Sequence, residues 1–218
     1  MLLVYLLSFI INVPLQTNNH NVIPPYREYL RKGELEKIDI NTIKDTFLLA
    51  ELMYFNYDFE NALKFYKNIP SFSPDCNDAL YRIELLNGNT KEDLTNFANA
   101  ELLYRNGTSR PGGEDKFDKS IEILKKLKLR HSSINLFSYI LLIDILESKK
   151  NQKEAINECK EFLIKFEDAP KTPEILMKEG TLYEKTGNKK EAVKIYNQIL
   201  VKYPKSPVSA LARLALEE

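Results

Sequence analysis

The chain has 218 residues, which is long enough for one well-buried domain. Its 31 Lys and Arg residues balance 31 Asp and Glu residues, so no net charge recruits nucleic acid or an anionic membrane. Glycine is scarce, with 7 residues, which favours helices over a sandwich or barrel that needs many tight turns.

The first segment, residues 1–22, is apolar and contains no Lys, Arg, Asp or Glu. Its apolar run from Leu2 to Val13 is short for a membrane span and matches the hydrophobic region of a secretory signal. No cation precedes the run and no Ala-x-Ala-like cleavage site follows it, so a buried first helix is the alternative. We expect a periplasmic or cell-envelope location, with membrane association only through this segment if it stays uncleaved. The alternative location is cytoplasmic.

Residues 23–218 are predicted to form one helical repeat domain. Its first clear repeat, residues 46–70, places six residues at repeat spacing: Ala50, Met53, Asp58, Ala62, Tyr66 and Ile69. An extra helix is predicted from Pro74 to Leu86, and the sequence does not identify its packing partner. A degenerate repeat follows at residues 91–131, with a loop insertion from Asn106 to Gly113.

Two clear repeats, residues 137–170 and 173–207, end the chain before a capping helix at residues 206–217. Ala155 aligns with Ala192, 37 positions later, and the flanking residues follow in register. In the last repeat, Pro173 suits the first turn of a helix and Thr172 is predicted to cap it. Gly187 and Asn188 end that helix, and a second helix is predicted over Lys189–Lys202.

Two small residues, Gly180 and Ala192, stand where these two helices would approach each other, with Tyr183 and Tyr196 beside them. Eight residues have the signature spacing of a tetratricopeptide repeat (TPR): Leu176, Gly180, Tyr183, Gly187, Ala192, Tyr196, Ile199 and Pro204. The chain therefore resembles a TPR protein. It departs from the pattern at Glu179, where Leu is usual, and at Leu176, which replaces the commoner Trp.

The ending Tyr203–Pro207 is similar to that of bacterial envelope TPR proteins. Two examples are the lipoprotein of the outer-membrane β-barrel assembly machinery and the periplasmic coordinator of the Tol-Pal system. The resemblance implies an all-α, TPR-like α-solenoid of antiparallel helix hairpins, with about ten or eleven helices. It also implies a concave groove, lined mainly by the first helix of each pair, that binds a protein or peptide partner.

Spacing along those first helices nominates twelve partner-binding residues for the groove: Phe47, Glu51, Tyr54, Phe97, Glu101, Tyr104, Phe137, Ile140, Asp144, Glu147, Met177 and Glu184. The amino-terminal half repeats an aromatic, acidic, aromatic triplet, and the carboxyl-terminal half is more acidic. This pattern suits a partner segment with apolar anchors and some positive charge. The alternative is that the aromatic side chains belong to the core.

Catalytic chemistry finds little support in the sequence. There is no G-x-S-x-G and no H-E-x-x-H motif, and Arg110–Gly113 is not followed by the Gly-Lys of a phosphate loop. Cys76 and Cys159 are isolated, which favours two inert thiols over a zinc site and leaves a disulfide as the alternative in an oxidising compartment. We expect no enzyme activity, no catalytic residue, no metal and no cofactor.

The sequence thus favours a non-catalytic scaffold for protein–protein interaction in a bacterial envelope assembly. The first alternative is a helical accessory or substrate-binding subunit of an envelope enzyme system. A cytosolic TPR adaptor is the second, and it would need a clamp of Lys and Arg where the predicted groove offers Glu and Asp.

Overall fold

The structure, a computed structural model, describes residues 26–109 and 112–217, apart from the side chain of Thr42. These ranges form eleven α-helices, two short 3-10 helices and no strand, which confirms the predicted all-α class for the described chain. They divide into two compact units, with the boundary between Ser138 and Tyr139 inside one helix. No helix in these ranges is long and apolar enough to cross a membrane. The predicted signal-like segment, residues 1–22, lies outside them.

The amino-terminal unit is described from Tyr26 to Ser138. Its helices are α1 (Tyr26–Lys32), 3-10 turns at Leu35–Lys37 and Ile40–Thr42, α2 (Thr46–Phe55), α3 (Phe59–Lys67), α4 (Cys76–Leu86), α5 (Lys91–Ser109), α6 (Glu114–Leu127) and the start of α7 (Ile134–Ser148). The pairs α2–α3 and α5–α6 pack as hairpins, while α4 packs on α3. Helix α1 contacts both α2 and α5.

The carboxyl-terminal unit is described from Tyr139 to Glu217. After α7 come α8 (Gln152–Lys165), α9 (Thr172–Lys185), α10 (Lys189–Lys202) and α11 (Val208–Glu217). Each helix from α8 onwards packs on the next, and α11 also contacts α9. This neighbour-on-neighbour packing is that of a TPR-like α-solenoid, as predicted.

Three helix hairpins share the same two-residue turn. The first residue of the turn has a positive φ, which is 63° at Tyr57, 59° at Lys150 and 79° at Gly187. The next residue is Asp58, Asn151 or Asn188, and its side chain accepts a hydrogen bond from the amide three residues later. The left-handed residue ends one helix and the Asp or Asn side chain caps the next. Of the three left-handed residues only Gly187 adopts this φ without strain.

The last repeat closes where two small residues allow the helices to approach. A Cβ atom on Gly180 would overlap the ring of Tyr196, and Ala192 and Tyr196 both lie in the core cluster with Leu176 and Ile199. The prediction that Gly180 and Ala192 mark the close approach is confirmed. Helix α10 has the bounds Lys189–Lys202 that the sequence predicts.

Two local predictions are wrong. Thr172 does not cap α9, because it lies inside the helix and its hydroxyl donates instead to the Phe166 carbonyl at 2.7 Å. Ser209 makes the same bond to the Tyr203 carbonyl one repeat later, so both hydroxyls fix the start of a helix to the end of the preceding one. The predicted loop at Asn106 to Gly113 is shorter than expected, because α5 continues to Ser109.

Candidate functional site

A buried arginine on α4 organises the centre of the amino-terminal unit. Arg82 is 3% exposed and lies between two carboxylates, Glu51 on α2 and Glu101 on α5. Its Nε and Nη2 donate to the two oxygens of Glu51 at 2.6 and 3.0 Å. Its Nη1 and Nη2 donate to Glu101 at 2.7 and 2.9 Å. One guanidinium therefore makes a two-bond contact with each acid, which is the strongest geometry for such pairs.

Further polar groups complete this cluster. The Tyr66 hydroxyl donates to Glu51 at 2.6 Å, and the Tyr54 hydroxyl donates to Glu101 at 3.0 Å. Arg105 on α5 reaches one oxygen of each carboxylate at 3.4 Å. The guanidinium of Arg82 also lies over the Tyr54 ring, 4.2 Å from its centroid. Two cations thus balance two buried anions, and hydroxyls satisfy the remaining acceptors.

The electrostatics of this buried ion cluster follow from burial and charge. Burial alone would raise the pKa of Glu51, but Arg82, Arg105 and the Tyr66 hydroxyl stabilise the carboxylate and hold that pKa below its usual value. Burial and the neighbouring carboxylates raise the pKa values of Tyr54 and Tyr66 well above their usual range. Glu51 is therefore ionised and both tyrosines are protonated near neutral pH.

Asp78, one helical turn before Arg82, has the opposite shift. Burial first, and then repulsion from Glu51, raise its pKa to about 6. The third carboxylate near the cluster is thus less acidic than a free aspartate. Asp78 is half-buried, and the attraction of Arg82 and Arg105 does not offset its loss of solvation and the repulsion from Glu51 and Asp75.

Helix α4 contacts several of the nominated side chains in this unit. Its Arg82 binds Glu51 and Glu101, and the Tyr81 ring meets Phe137 edge-on at 5.1 Å. Phe137 in turn contacts Phe97 of α5. The extra helix, whose partner the sequence could not assign, packs on α3. Its Arg82 and Tyr81 also contact nominated side chains of α2, α5 and the start of α7.

The twelve nominated residues differ in exposure. Eight are buried: Glu51, Tyr54, Phe97, Glu101, Tyr104, Phe137, Ile140 and Met177. Phe47, Asp144 and Glu147 are half-buried, and Glu184 is exposed. Their role in partner binding stays a prediction, and these last four side chains keep surface that a partner could reach.

In the carboxyl-terminal unit, two lysines of α9 bind the nominated acids of α7. Lys178 lies 2.5 Å from Asp144 and 3.4 Å from Glu147, and Lys185 lies 2.5 Å from Glu147. Burial would lower the pKa of Lys178, but Asp144 and Glu147 raise it above its usual range. The acidic face expected from the sequence is therefore largely neutralised by ion pairs between first helices.

Sequence reasoning missed the two buried cationic partners, Arg82 and Lys178. The signal for Arg82 was its register: Ala79, Arg82 and Leu85 lie three residues apart on the buried stripe of α4. An arginine in an apolar stripe predicts a buried acidic partner, because an unpaired charge there would be too costly. Lys178 gives a weaker signal, since α9 is buried on most of its surface.

Other reactive side chains do not assemble into a centre. Cys76 is half-buried and Cys159 is buried, both are free thiols, and burial raises the pKa of Cys159. His131 is exposed. Within residues 26–109 and 112–217, no group of three His, Cys, Asp or Glu side chains is placed to hold a metal ion.

Comparison with known proteins identifies one segment of the chain. A family model described as tetratricopeptide repeat matches residues 174–206, which cover most of α9 and all of α10. The match supports a TPR protein, and TPR repeats suggest a protein–protein interaction scaffold of a generally non-catalytic family. No curated protein matches the chain.

Proposed function

We propose that this protein is a non-catalytic scaffold that binds a protein or peptide partner. The observation that carries the proposal is the TPR hairpin of α9 and α10, which matches the family model over residues 174–206. Such hairpins stack to bury a shared core and leave an extended surface for partners. The function is argued from this repeat architecture.

Within the carboxyl-terminal unit, we assign partner binding to the accessible side of the first helices, α7 and α9. Glu184 is exposed there, and Asp144 and Glu147 keep 22% and 27% of their side-chain surface. Their ion pairs with Lys178 and Lys185 give this face both charges. A mixed-charge face favours a partner segment with its own paired charges over a purely basic one.

A photo-cross-linking amino acid at Glu184 tests this proposal in cells of the source organism. The matched control carries the same amino acid at Asn197, which is exposed on the second helix α10. We expect one specific protein adduct from position 184 and none from position 197. Equal adducts from both positions, or none from position 184, would contradict the proposal.

The accessory-subunit alternative makes a different prediction for the same adduct. If the chain is part of an enzyme system, the cross-linked partner is an enzyme whose activity changes when the purified chain is added. A scaffold leaves the activity of an isolated partner unchanged, because its role is to hold that partner close to other proteins.

We also propose that the chain is exported to a cell envelope, on the apolar block from Leu2 to Val13. Amino-terminal sequencing of the mature protein is the test. We expect the sequence to begin between Gln16 and Ile23. An intact Met1 on protein from the cytoplasmic fraction would exclude the export proposal.

A further inference from the structure

The chain contains two Asn-Gly dipeptides, Asn87-Gly88 and Asn106-Gly107, and folding places them in different surroundings. An asparagine that precedes glycine loses its side-chain amide more readily than other asparagines do. The reason is steric, because glycine has no side chain to hinder attack by its own backbone nitrogen. Each dipeptide therefore marks a place where the chain can change covalently, and its surroundings decide whether it does.

The first dipeptide lies in the turn between α4 and α5, and both of its residues are exposed. Gly88 has φ of 77°, and a Cβ atom on it would meet no atom within 4 Å. No backbone carbonyl in the described ranges accepts a hydrogen bond from the Gly88 amide. The peptide that joins Asn87 to Gly88 therefore has room to rotate, and its nitrogen is open to solvent.

The second dipeptide lies inside a helix, since α5 continues to Ser109. Gly107 is buried, and a Cβ atom on it would lie 2.6 Å from the ring of Phe117 on α6. In an α-helix the backbone amide also donates to the carbonyl four residues earlier. Attack by the Gly107 nitrogen on Asn106 therefore requires the end of α5 to unfold locally.

We propose that Asn87 is a site of spontaneous deamidation, with water as the co-reactant. The Gly88 backbone nitrogen gives its proton to water and attacks Cγ of Asn87. A C–N bond forms, the bond from Cγ to the side-chain nitrogen breaks, and that nitrogen takes up a proton and leaves as ammonia. Water then opens the resulting succinimide at one of its two carbonyl carbons, which leaves aspartate or isoaspartate at position 87.

The modified residue lies where α4 is joined to α7. Asn87 is the C-cap of α4, so a new carboxylate there meets the negative end of the helix dipole. Isoaspartate also adds a methylene group to the main chain. Two residues later, the Asn89 side chain donates to the Leu85 carbonyl at 2.7 Å and accepts from the Ile134 amide at 3.0 Å. The modification therefore loosens this junction.

Ageing of the full-length chain in warm, mildly alkaline buffer tests the proposal. Tandem mass spectrometry of its peptides locates each amide that has become an acid. We expect conversion at Asn87 to be at least about ten-fold faster than at Asn106, because only Asn106 must wait for local unfolding. Equal rates, or a faster rate at Asn106, would overturn the proposal.

The same ageing in guanidinium chloride is the matched control. Both dipeptides then belong to a flexible chain, so their rates should agree within about two-fold. A difference as large as in the folded chain would show that neighbouring residues set the rates, and would overturn the role given to the turn and the helix.

Hydrogen exchange at the Ile134 amide tests the structural consequence. This amide should exchange at least about ten-fold faster in the aged, isoaspartate-containing chain than in the fresh chain. An Asn87→Gln chain aged in the same way should keep its original rate, because glutamine closes the corresponding ring far more slowly. An unchanged rate in the modified wild-type chain would overturn the inference that the junction is loosened. The scaffold role is tested separately by the cross-links from position 184.

Discussion

Gly180 on α9 lies against the ring of Tyr196 on α10 with no room for a methyl group between them. A Cβ on residue 180 would lie 3.0 Å from ring atoms Cδ1 and Cζ and closer still to Cε1. Tyr196 is fully buried and cannot swing aside without disturbing Ile199 and Leu176 in the same cluster. The close packing of the last repeat therefore depends on a missing side chain.

We expect Gly180→Ala to destabilise the protein by roughly 1–3 kcal/mol through overpacking. Helix propensity works in the other direction, since Ala is favoured over Gly by about 1 kcal/mol in a helix interior. The free energy of unfolding in urea measures the net effect. In a Tyr196→Ala background the same Gly180→Ala change should no longer destabilise. A single variant that is more stable than the wild type, as helix propensity alone predicts, would contradict the close approach of the two helices.

At two equivalent positions of the shared turn, opposite substitutions should change the stability of the protein in opposite directions. Gly187 and Lys150 both have a left-handed φ, and a Cβ on Gly187 would meet no atom within 4 Å. Gly187→Ala should therefore destabilise by about 1 kcal/mol through backbone strain alone. Lys150→Gly should stabilise by about 0.5 kcal/mol, because strain relief exceeds the added freedom of the unfolded chain.

Thermal unfolding of these variants provides the measurement. Lys149→Gly is the matched control, because residue 149 does not have a positive φ and gains nothing from glycine. Equal melting temperatures for Lys150→Gly and Lys149→Gly would mean that strain at Lys150 is negligible.

The sequence predicted the elements whose signals are local. Helix Lys189–Lys202 and the close approach at Gly180 follow from periodicity and from small residues at fixed spacing. The prediction that Thr172 caps α9 was wrong because a hydroxyl near a helix start can also donate to carbonyls of the preceding segment. In the structure the Thr172 hydroxyl donates to the Phe166 carbonyl. That choice depends on the preceding helix, which a local signal does not contain.

The ion clusters could not be predicted from local spacing, because their residues lie far apart in the chain. Arg82 is 31 residues from Glu51 and 19 from Glu101, so no helical spacing connects them. The aromatic and acidic pattern on α2 and α5 led to the prediction of a partner-binding groove, which stays a prediction. The pattern could not indicate that Arg82 of α4 pairs with these acids.

Removal of the central cation should be among the most damaging single changes in the amino-terminal unit. Arg82→Leu leaves Glu51 and Glu101 buried with only Arg105 nearby, which should cost roughly 3–5 kcal/mol of stability. Lys126→Leu is the control, since Lys126 pairs with Glu122 on the surface and should change stability by less than about 0.5 kcal/mol. Similar urea midpoints for both variants would show that the buried ion cluster contributes little.

Asp78 should make stability fall as pH rises through the mildly acidic range. Its pKa of about 6 in the folded chain lies above the usual 3.8, so the folded state holds its proton more tightly than the unfolded state. The stabilising effect of that proton is fully present below the unfolded pKa and is lost as pH rises through the folded value. Asp78→Asn removes the ionisation and should raise the melting temperature near neutral pH, with the gain shrinking towards zero at about pH 4. A gain that is the same at both pH values would mean that hydrogen bonding or packing, and not repulsion and burial of charge beside Glu51, distinguishes the two side chains.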